Sequence, residues 1–444
     1  MPALIRPPAA GKSKPLYRPQ IGPSHRLFTE NEPAPAHSGG MNIRPSPLSA
    51  LRDAKWLAPE AARIYRMMLA LLLTGSIIGW IVFSRMGLDP FGKPLGTDFL
   101  SFWTASQLAL GGNSAAPYDP ALHNAAQLAQ FNAGQGYAAF FYPPPYLLLC
   151  LPLALLPYLP SLALWLALTG AAYARVVFLL LDRCRNWWLT LLAFPAILMN
   201  MGHGQNAFLT AALMGGGLML LPKRPWIAGA LFGCLVIKPH LALLVPIALA
   251  ARGEWRAFMA AGLTAALLCL LSLVVLGPQG WAAFVANAPL ARHTLEAGLV
   301  DPAKMVSTFA AVRVLGGSVA LGYAIQAVAT LGVIATLILM ARARLAPAAQ
   351  NAALAAGAML ATPFVLDYDL SWLAIPLAFA FVEARRTGFL PYEKVILAAA
   401  FVLPLFARSL ALAAHLPIAP LVLAALFWAV IQRGLFVRSS PCRR

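Results

Sequence analysis

Residues 67–84 read MMLALLLTGSIIGWIVFS, a stretch without a single charge, framed by Arg66 and Arg85. At 1.5 Å of rise per residue it covers about 27 Å as an α-helix, close to the ~30 Å hydrocarbon core of a bilayer. Its apolar residues are continuous rather than alternating, so it does not fit a strand of an outer-membrane barrel. Further runs of this kind fill the chain at 145–158, 160–181, 187–201, 204–221, 226–251, 257–276, 318–340, 348–366, 371–384, 393–410 and 418–437. The whole sequence is 60% hydrophobic and 11% charged, with a mean hydropathy of +0.72. That composition excludes a soluble enzyme, a coiled coil and a collagen-like chain. The expectation is an all-α polytopic membrane protein of about 12 spans.

The 33 Lys and Arg against 15 Asp and Glu give a net charge of +18. In a soluble chain this would suggest nucleic acid, but neither zinc-finger spacing nor an aromatic RNA-binding pattern is present. The basic residues fall instead in short clusters between apolar runs, the pattern of cytoplasmic loops. Residues 1–62 are rich in Pro, Ala, Ser and basic side chains without periodicity, and read as a disordered cytoplasmic tail. The span that follows reads as a retained anchor, with no small-residue cleavage site after it. The membrane domain is expected over 63–437, with outer loops at 86–141 and 277–317, and a cytoplasmic tail at 438–444. The five cysteines form no C-x-x-C motif and imply neither disulfides nor a metal site.

Two topologies fit. Simple alternation of twelve crossings places Arg252, Arg256, Arg342, Arg344, Arg385, Arg386, Arg433 and Arg438 inside, but puts Arg183, Arg185, Lys223 and Arg224 outside. If 147–159 and 227–249 are re-entrant hairpins, those clusters move inside and 202–206 moves outside. Under either topology, seven of the eleven acids beyond the tail, Asp89, Asp98, Asp119, Glu296, Asp301, Asp367 and Asp369, lie in outer loops. Any chemistry therefore points outward.

Asp98 follows Gly96-Thr97 and precedes Phe99, Phe102 and Trp103, in a segment that reads as a short amphipathic helix on the membrane surface, stopped by Gly111-Gly112. Its carboxylate suits general-base work on a hydroxyl; the competing reading is a helix cap, a position Asp favours. Lys238-Pro239-His240 interrupts an apolar run. Ionisable residues inside a membrane are costly enough to point to function, so Lys238 is either a phosphate ligand or a snorkelling or paired lysine. His203, Gln205 and Asn206 form a polar turn, Tyr142 opens a proline-rich return to the membrane, and Asp367 and Asp369 sit at the end of an apolar run. These two carboxylates lack a third hard ligand for a metal. His293 is a lone outer-loop histidine. No Walker loop, dinucleotide fingerprint, H-E-x-x-H or G-x-S-x-G is present, which disfavours nucleotide-driven pumps and the common membrane proteases.

In order and spacing, Gly96-Thr97-Asp98-Phe99, Tyr118-Asp119, Tyr142-Pro143-Pro144, Gly204-Gln205-Asn206, Lys238-Pro239, Thr362-Pro363 and Asp367-Tyr368-Asp369 resemble glycosyltransferase family 87 across about 66–437. The resemblance implies a GT-C-like helix bundle. It implies an enzyme moving a hexose, mannose in the characterised activity, from a polyprenyl-phosphate carrier to a lipid or glycan acceptor at the outer side of the cytoplasmic membrane. It assigns the base to Asp98 and makes His293, in the loop after the seventh span, a residue to test. Lys238, His240 and Gln205 are then expected at the donor phosphate and Tyr142, His203, Asp367 and Asp369 at the substrate, with no metal, no cofactor and no nucleic acid. The competing class is a transporter or flippase of a lipid-linked sugar, which would leave the carrier–sugar bond uncut. A scaffold would tolerate loss of Asp98 and Lys238.

Overall fold

The computed structural model describes residues 47–131 and 136–439. Most of the expected tail at 1–62 lies outside the described residues, as does most of 438–444. The part of 1–62 that is described is largely helical: a short helix spans Pro47–Asp53, and the first long helix, α1 (Pro59–Val82), begins eight residues before the apolar run at 67. Pro59 occupies a first-turn position, where its missing N–H costs nothing.

Among the described residues the regular structure is helical, with only isolated β-bridges beside it. Six helices are long and apolar enough to cross a membrane: α1, α5 (Tyr158–Leu180), α10 (Trp255–Glu296), α11 (Val319–Arg342), α14 (Glu393–Ala414) and α15 (Ala419–Ser439). Between them lie α2 (Phe99–Leu110), α3 (Pro120–Gln130), α4 (Pro144–Cys150), α6 (Ala196–His203), α7 (Ala207–Leu220), α8 (Pro225–Gly233), α9 (Leu244–Arg252), α12 (Pro347–Leu360) and α13 (Ala374–Thr387).

The structure departs from twelve alternating crossings because prolines break the early apolar runs. The run at 145–158 does not cross: Tyr142 before it and Tyr158 after it reach the same small region, through hydrogen bonds to Gln205 (3.1 Å) and to the Gly96 carbonyl (2.9 Å). The run at 226–251 goes in and returns, broken at Lys238-Pro239. Its far end lies beside its start: Asn351 accepts from Arg252 (2.8 Å) and donates to the Leu218 carbonyl (3.2 Å) near the end of α7. Both breaks match the two-hairpin alternative. They place Gly202–Asn206 at the same end as Asp98.

Helix α12 lies in the interior, with every residue from Asn351 to Leu360 buried. Small residues bring helices close elsewhere too. A Cβ on Gly229 of α8 would lie 2.3 Å from the Ala257 carbonyl of α10, so the two backbones touch. Helix α10 bends at Gly277 (φ 73°, ψ 170°), and its second half continues as helix where the sequence suggested a loop. Ser114 ties the bend down by donating to the Leu276 carbonyl (2.5 Å).

Helix α2 also corrects an expectation. It spans the residues foreseen, but Phe99 through Ser106 are all buried, so it is an interior helix rather than one lying on a surface. Its aromatic side chains explain this. Phe102 meets Tyr142, Tyr146 and Trp165 edge-on at 5.1–6.4 Å, and Trp103 donates to the Leu156 carbonyl (3.0 Å). Such ring pairs add to the apolar area each side chain buries.

Candidate active site

Two glycine turns build the site. Gly96 (φ 73°) and Gly204 (φ 64°) both adopt the left-handed region that glycine tolerates. A Cβ on Gly204 would fall 2.6 Å from Cβ of Phe99 and 3.2 Å from Cα of Gly96. Because Gly204 has no side chain the turns can lie backbone to backbone, and there the Asp98 N–H donates to the His203 carbonyl (3.0 Å). Helix α5 pins both turns: Tyr158 donates to the carbonyls of Leu95 and Gly96, and Trp165 to that of Gly204.

Asp98 stands at the N-terminal end of α2, yet its side chain accepts no hydrogen bond from the helix. One carboxylate oxygen accepts from the Gln205 amide (2.9 Å). The other lies 3.6 Å from Nδ1 of His203, with the Thr97 hydroxyl 3.1 Å from the same nitrogen. Gln205 is oriented in turn, its carbonyl oxygen accepting from Tyr142 Oη and from the Asn206 N–H (2.9 Å). Beyond the imidazole, Nε2 lies 4.0 Å from Asp367, whose second oxygen is 3.6 Å from Arg408. Charges thus alternate along Asp98, His203, Asp367 and Arg408.

The alternation sets the protonation states. Burial alone would raise the Asp98 carboxyl, but the His203 imidazole, the Gln205 amide and the Lys304 ammonium outweigh it and hold Asp98 below the ordinary carboxylate value. Burial pulls His203 down, but Asp98 and Asp367 carry it above the ordinary imidazole value. Asp367 is held above the ordinary value by burial, which His203 and Arg408 offset only in part. Asp98 therefore favours its ionised form, beside a histidine that holds its proton more tightly than an ordinary imidazole.

These groups line a cavity of about 1600 Å³ that also takes in Lys304, His240 and, on α1, Ser76, Ile77 and Trp80. A space of that size exceeds the ~300–1,000 Å³ of common small-molecule pockets. The cavity is polar at Asp98 and apolar toward α1, which suits an amphiphile.

The other residues singled out from sequence fall as follows. Lys238, 1% exposed, is committed: its ammonium donates to Asp369 (2.5 Å) and Asn206 (3.3 Å), and lies 4.9 Å from the ring centre of Tyr368. Lys238 also borders the cavity described above, but an ammonium already paired in a buried site is costly to redirect. Asp369 is correspondingly a partner of Lys238. His240 lines the cavity, its ring edge-on to Phe364 at 5.7 Å, and its Nε2 is buried without a hydrogen-bond partner. His293 is exposed and does not line the cavity, although Arg292 and Thr294 on either side of it do. Sequence reading missed Lys304 and Arg408, and named Thr97 only within the motif around Asp98. Arg408 carried a usable signal, a cation fourteen residues beyond Lys394 near the far end of the apolar run at 393–410, of the kind that drew notice to Lys238. Lys304 carried none. Among the described residues no group of three or more His, Cys, Asp or Glu side chains is placed to hold a metal ion.

Comparison with known proteins bears on this arrangement. The model of the family described as glycosyltransferase family 87 matches residues 140–366. Two curated relatives, each named alpha-(1->3)-arabinofuranosyltransferase, come from Mycobacterium tuberculosis strains CDC 1551 / Oshkosh and ATCC 25618 / H37Rv. Each is 33% identical over 137 residues, covering 28% of this chain and 31% of the relative. The chain thus matches about a third of the length of these relatives. No solved structure matches it significantly.

Proposed function

The chain belongs to glycosyltransferase family 87, and on that premise we propose that it moves a sugar from a polyprenyl-phosphate carrier to a lipid or glycan acceptor at the outer face of the cytoplasmic membrane. The observation that carries this reading is the Asp98 carboxylate. It sits at a helix start without capping it, ionised, in a cavity that runs from charged groups to a hydrophobic wall. Asp98 takes the proton of an acceptor hydroxyl as that oxygen attacks the anomeric carbon, opposite the leaving phosphate. The anomeric C–O bond to phosphate breaks, polyprenyl phosphate departs as a monoester, and the configuration inverts. His203 keeps Asp98 ionised before the attack and receives hydrogen-bonding help from Thr97.

The leaving phosphate needs cations within the cavity. Lys304 lines it, as does Arg408, which also lies 3.6 Å from Asp367, and the unpaired Nε2 of His240 offers a further polar contact. Preorganised charge aimed at a developing oxyanion is often the largest single contribution to catalysis. The basic clusters at 183–185, 223–224, 252–256, 342–344 and 385–386 supply the positive-inside signal for a cytoplasmic end, with both termini there and the site facing outward.

The donor sugar is read as a hexose, mannose first. A pentose, arabinofuranose, is the second reading, favoured by the names of the two curated relatives, both arabinofuranosyltransferases. One assay separates them: purified protein in nanodiscs, host lipid extract, and a panel of polyprenyl-phosphate sugars that includes both. Release of polyprenyl phosphate together with labelled product from one donor supports the reading and names the sugar. Movement of intact donor across vesicles with no cleavage overturns it in favour of a transporter or flippase.

A further inference from the structure

Lys238 and Asp369 carry opposite charges in the interior, 1% and 0% exposed, yet neither takes part in the chemistry proposed above. Lys238 stands at the break between Pro225–Ile237 and Pro239–Arg252. Its backbone (φ −143°, ψ 68°) leaves the helix there, and the ammonium projects to where two separate turns meet.

The first turn is Gly204–Asn206. Asn206, 0% exposed, accepts from Lys238, and its N–H holds the carbonyl oxygen of Gln205, whose amide grips Asp98. The second turn is Leu366–Asp369. Asp369 accepts from Lys238 through Oδ1 and from the Leu366 N–H through Oδ2 (3.2 Å), which fixes the turn that presents Asp367 to His203 and Arg408. The backbone of Val306 is tied to the same strip, donating to the Val365 carbonyl (2.9 Å), two residues from Lys304. The two turns are 160 residues apart in sequence, and Lys238 bonds to both.

We propose that the buried Lys238–Asp369 pair is a positioning device that locks the Gln205 and Asp367 turns on either side of the Asp98–His203 couple. This inference rests on the transferase reading. It differs from the sequence expectation in that Lys238 acts through Gln205 and Asp367 and touches no phosphate. A direct phosphate ligand would lower donor affinity when removed. A positioning residue leaves binding alone and lowers the chemical step, because small displacements of oriented groups weaken only the transition state.

Lys238→Met alone leaves the Asp369 carboxylate buried without its counter-charge, a change that can prevent folding. The informative protein is therefore Lys238→Met with Asp369→Asn, which removes both charges while Asn retains an acceptor for the Leu366 N–H. Two measurements are made on it in nanodiscs. Steady-state transfer gives kcat and the donor KM. The ring nitrogen shifts of 15N-labelled histidine, assigned by loss of the signal in His203→Asn, give the His203 titration without substrate. The groups facing that ring are Thr97, Asp98, Asp367, Tyr368 and Lys304.

The expected result is a kcat lowered roughly 10- to 100-fold, the scale of losing one charge-assisted hydrogen bond at the reacting group, with donor KM unchanged. The His203 midpoint should fall as Asp98 and Asp367 drift from it. A wild-type kcat, an unmoved His203 midpoint, or a raised donor KM at unchanged kcat overturns the proposal. The titration needs no turnover, so it tests the lock even if wild-type protein cleaves no donor, the outcome that would defeat the transferase reading instead.

Discussion

Two helices in the segment after α1 begin with an aspartate, and the two residues are used differently. Asp119 starts α3 and caps it, accepting from the N–H groups of Ala121 (2.8 Å) and Leu122 (3.1 Å). Asp98 starts α2 and leaves the helix N–H groups alone, giving its oxygens to Gln205 and His203. The residues around each explain the difference. Asp119 has extended backbone (φ −90°, ψ 115°), which folds its side chain over the first turn, and Pro120 follows it. Asp98 already has helical backbone (φ −88°, ψ −23°), which turns its side chain away from that turn and toward the Gly204 loop. A carboxylate at a helix start is thus a cap or a reagent according to the backbone angles beneath it.

The comparison breaks first, and hardest, at Asp98. Asp98→Asn should lower turnover at least ~100-fold, the scale of a lost general base, with little change in melting temperature because no cap is lost. Asp119→Asn, which preserves a capping side chain, should leave turnover unchanged. Equal behaviour of the two variants in transfer assays would put both aspartates in the structural class. Next in size, Gln205→Leu removes the amide that grips Asp98 and should cost roughly 10- to 100-fold in kcat; an intact kcat would mean that His203 alone orients the base.

The pH profile sharpens the same contrast. Because Asp98 is held below the ordinary carboxylate value, activity should persist as pH falls past that value and fail only on protonation of the lowered carboxyl. Because His203 is held above the ordinary imidazole value, the alkaline limb should appear above it, as the imidazolium is lost. In His203→Asn the alkaline limb should vanish and the acid limb should move to higher pH, since Asp98 loses its counter-charge. An acid limb that stays in place would remove His203 from the couple. The smallest effect belongs to Asp119→Ala, expected to cost about 1 kcal/mol of stability, seen as a lower thermal midpoint with normal transfer.

Much of this was legible in the sequence where local chemistry decides. The helices of the membrane domain, the position of Asp98 and the polar turn at 203–206 are written in apolar runs and glycine spacing. Three things were not legible. Hydropathy could not tell a crossing from a hairpin at 145–158 and 226–251, because a run that turns back at a proline is as apolar as one that continues. It could not tell that α2 is buried from Phe99 to Ser106, because its aromatic face reads as amphipathic until Tyr142, Tyr146, Tyr158 and Trp165 are brought around it. And it could not show that Lys238 is already paired, because Asp369 lies 131 residues away. The side of the polar turn, open in the sequence, follows from contact: the Asp98 N–H reaches the His203 carbonyl.

Helix α1 buries only Ala70 and Leu73 of its 24 residues. Arg66, donating to Thr190 (2.7 Å), and a small patch with Leu189 and Ala193 hold it at one end. Its other end supplies Ser76, Ile77 and Trp80 to the cavity wall. One wall of the cavity is therefore mounted on a helix that lipid, more than protein, supports. Helices so placed answer to hydrophobic mismatch by tilting, which makes the host bilayer a mechanical part of the site: thickening or thinning the acyl layer should widen or narrow the cavity without any change in the chain.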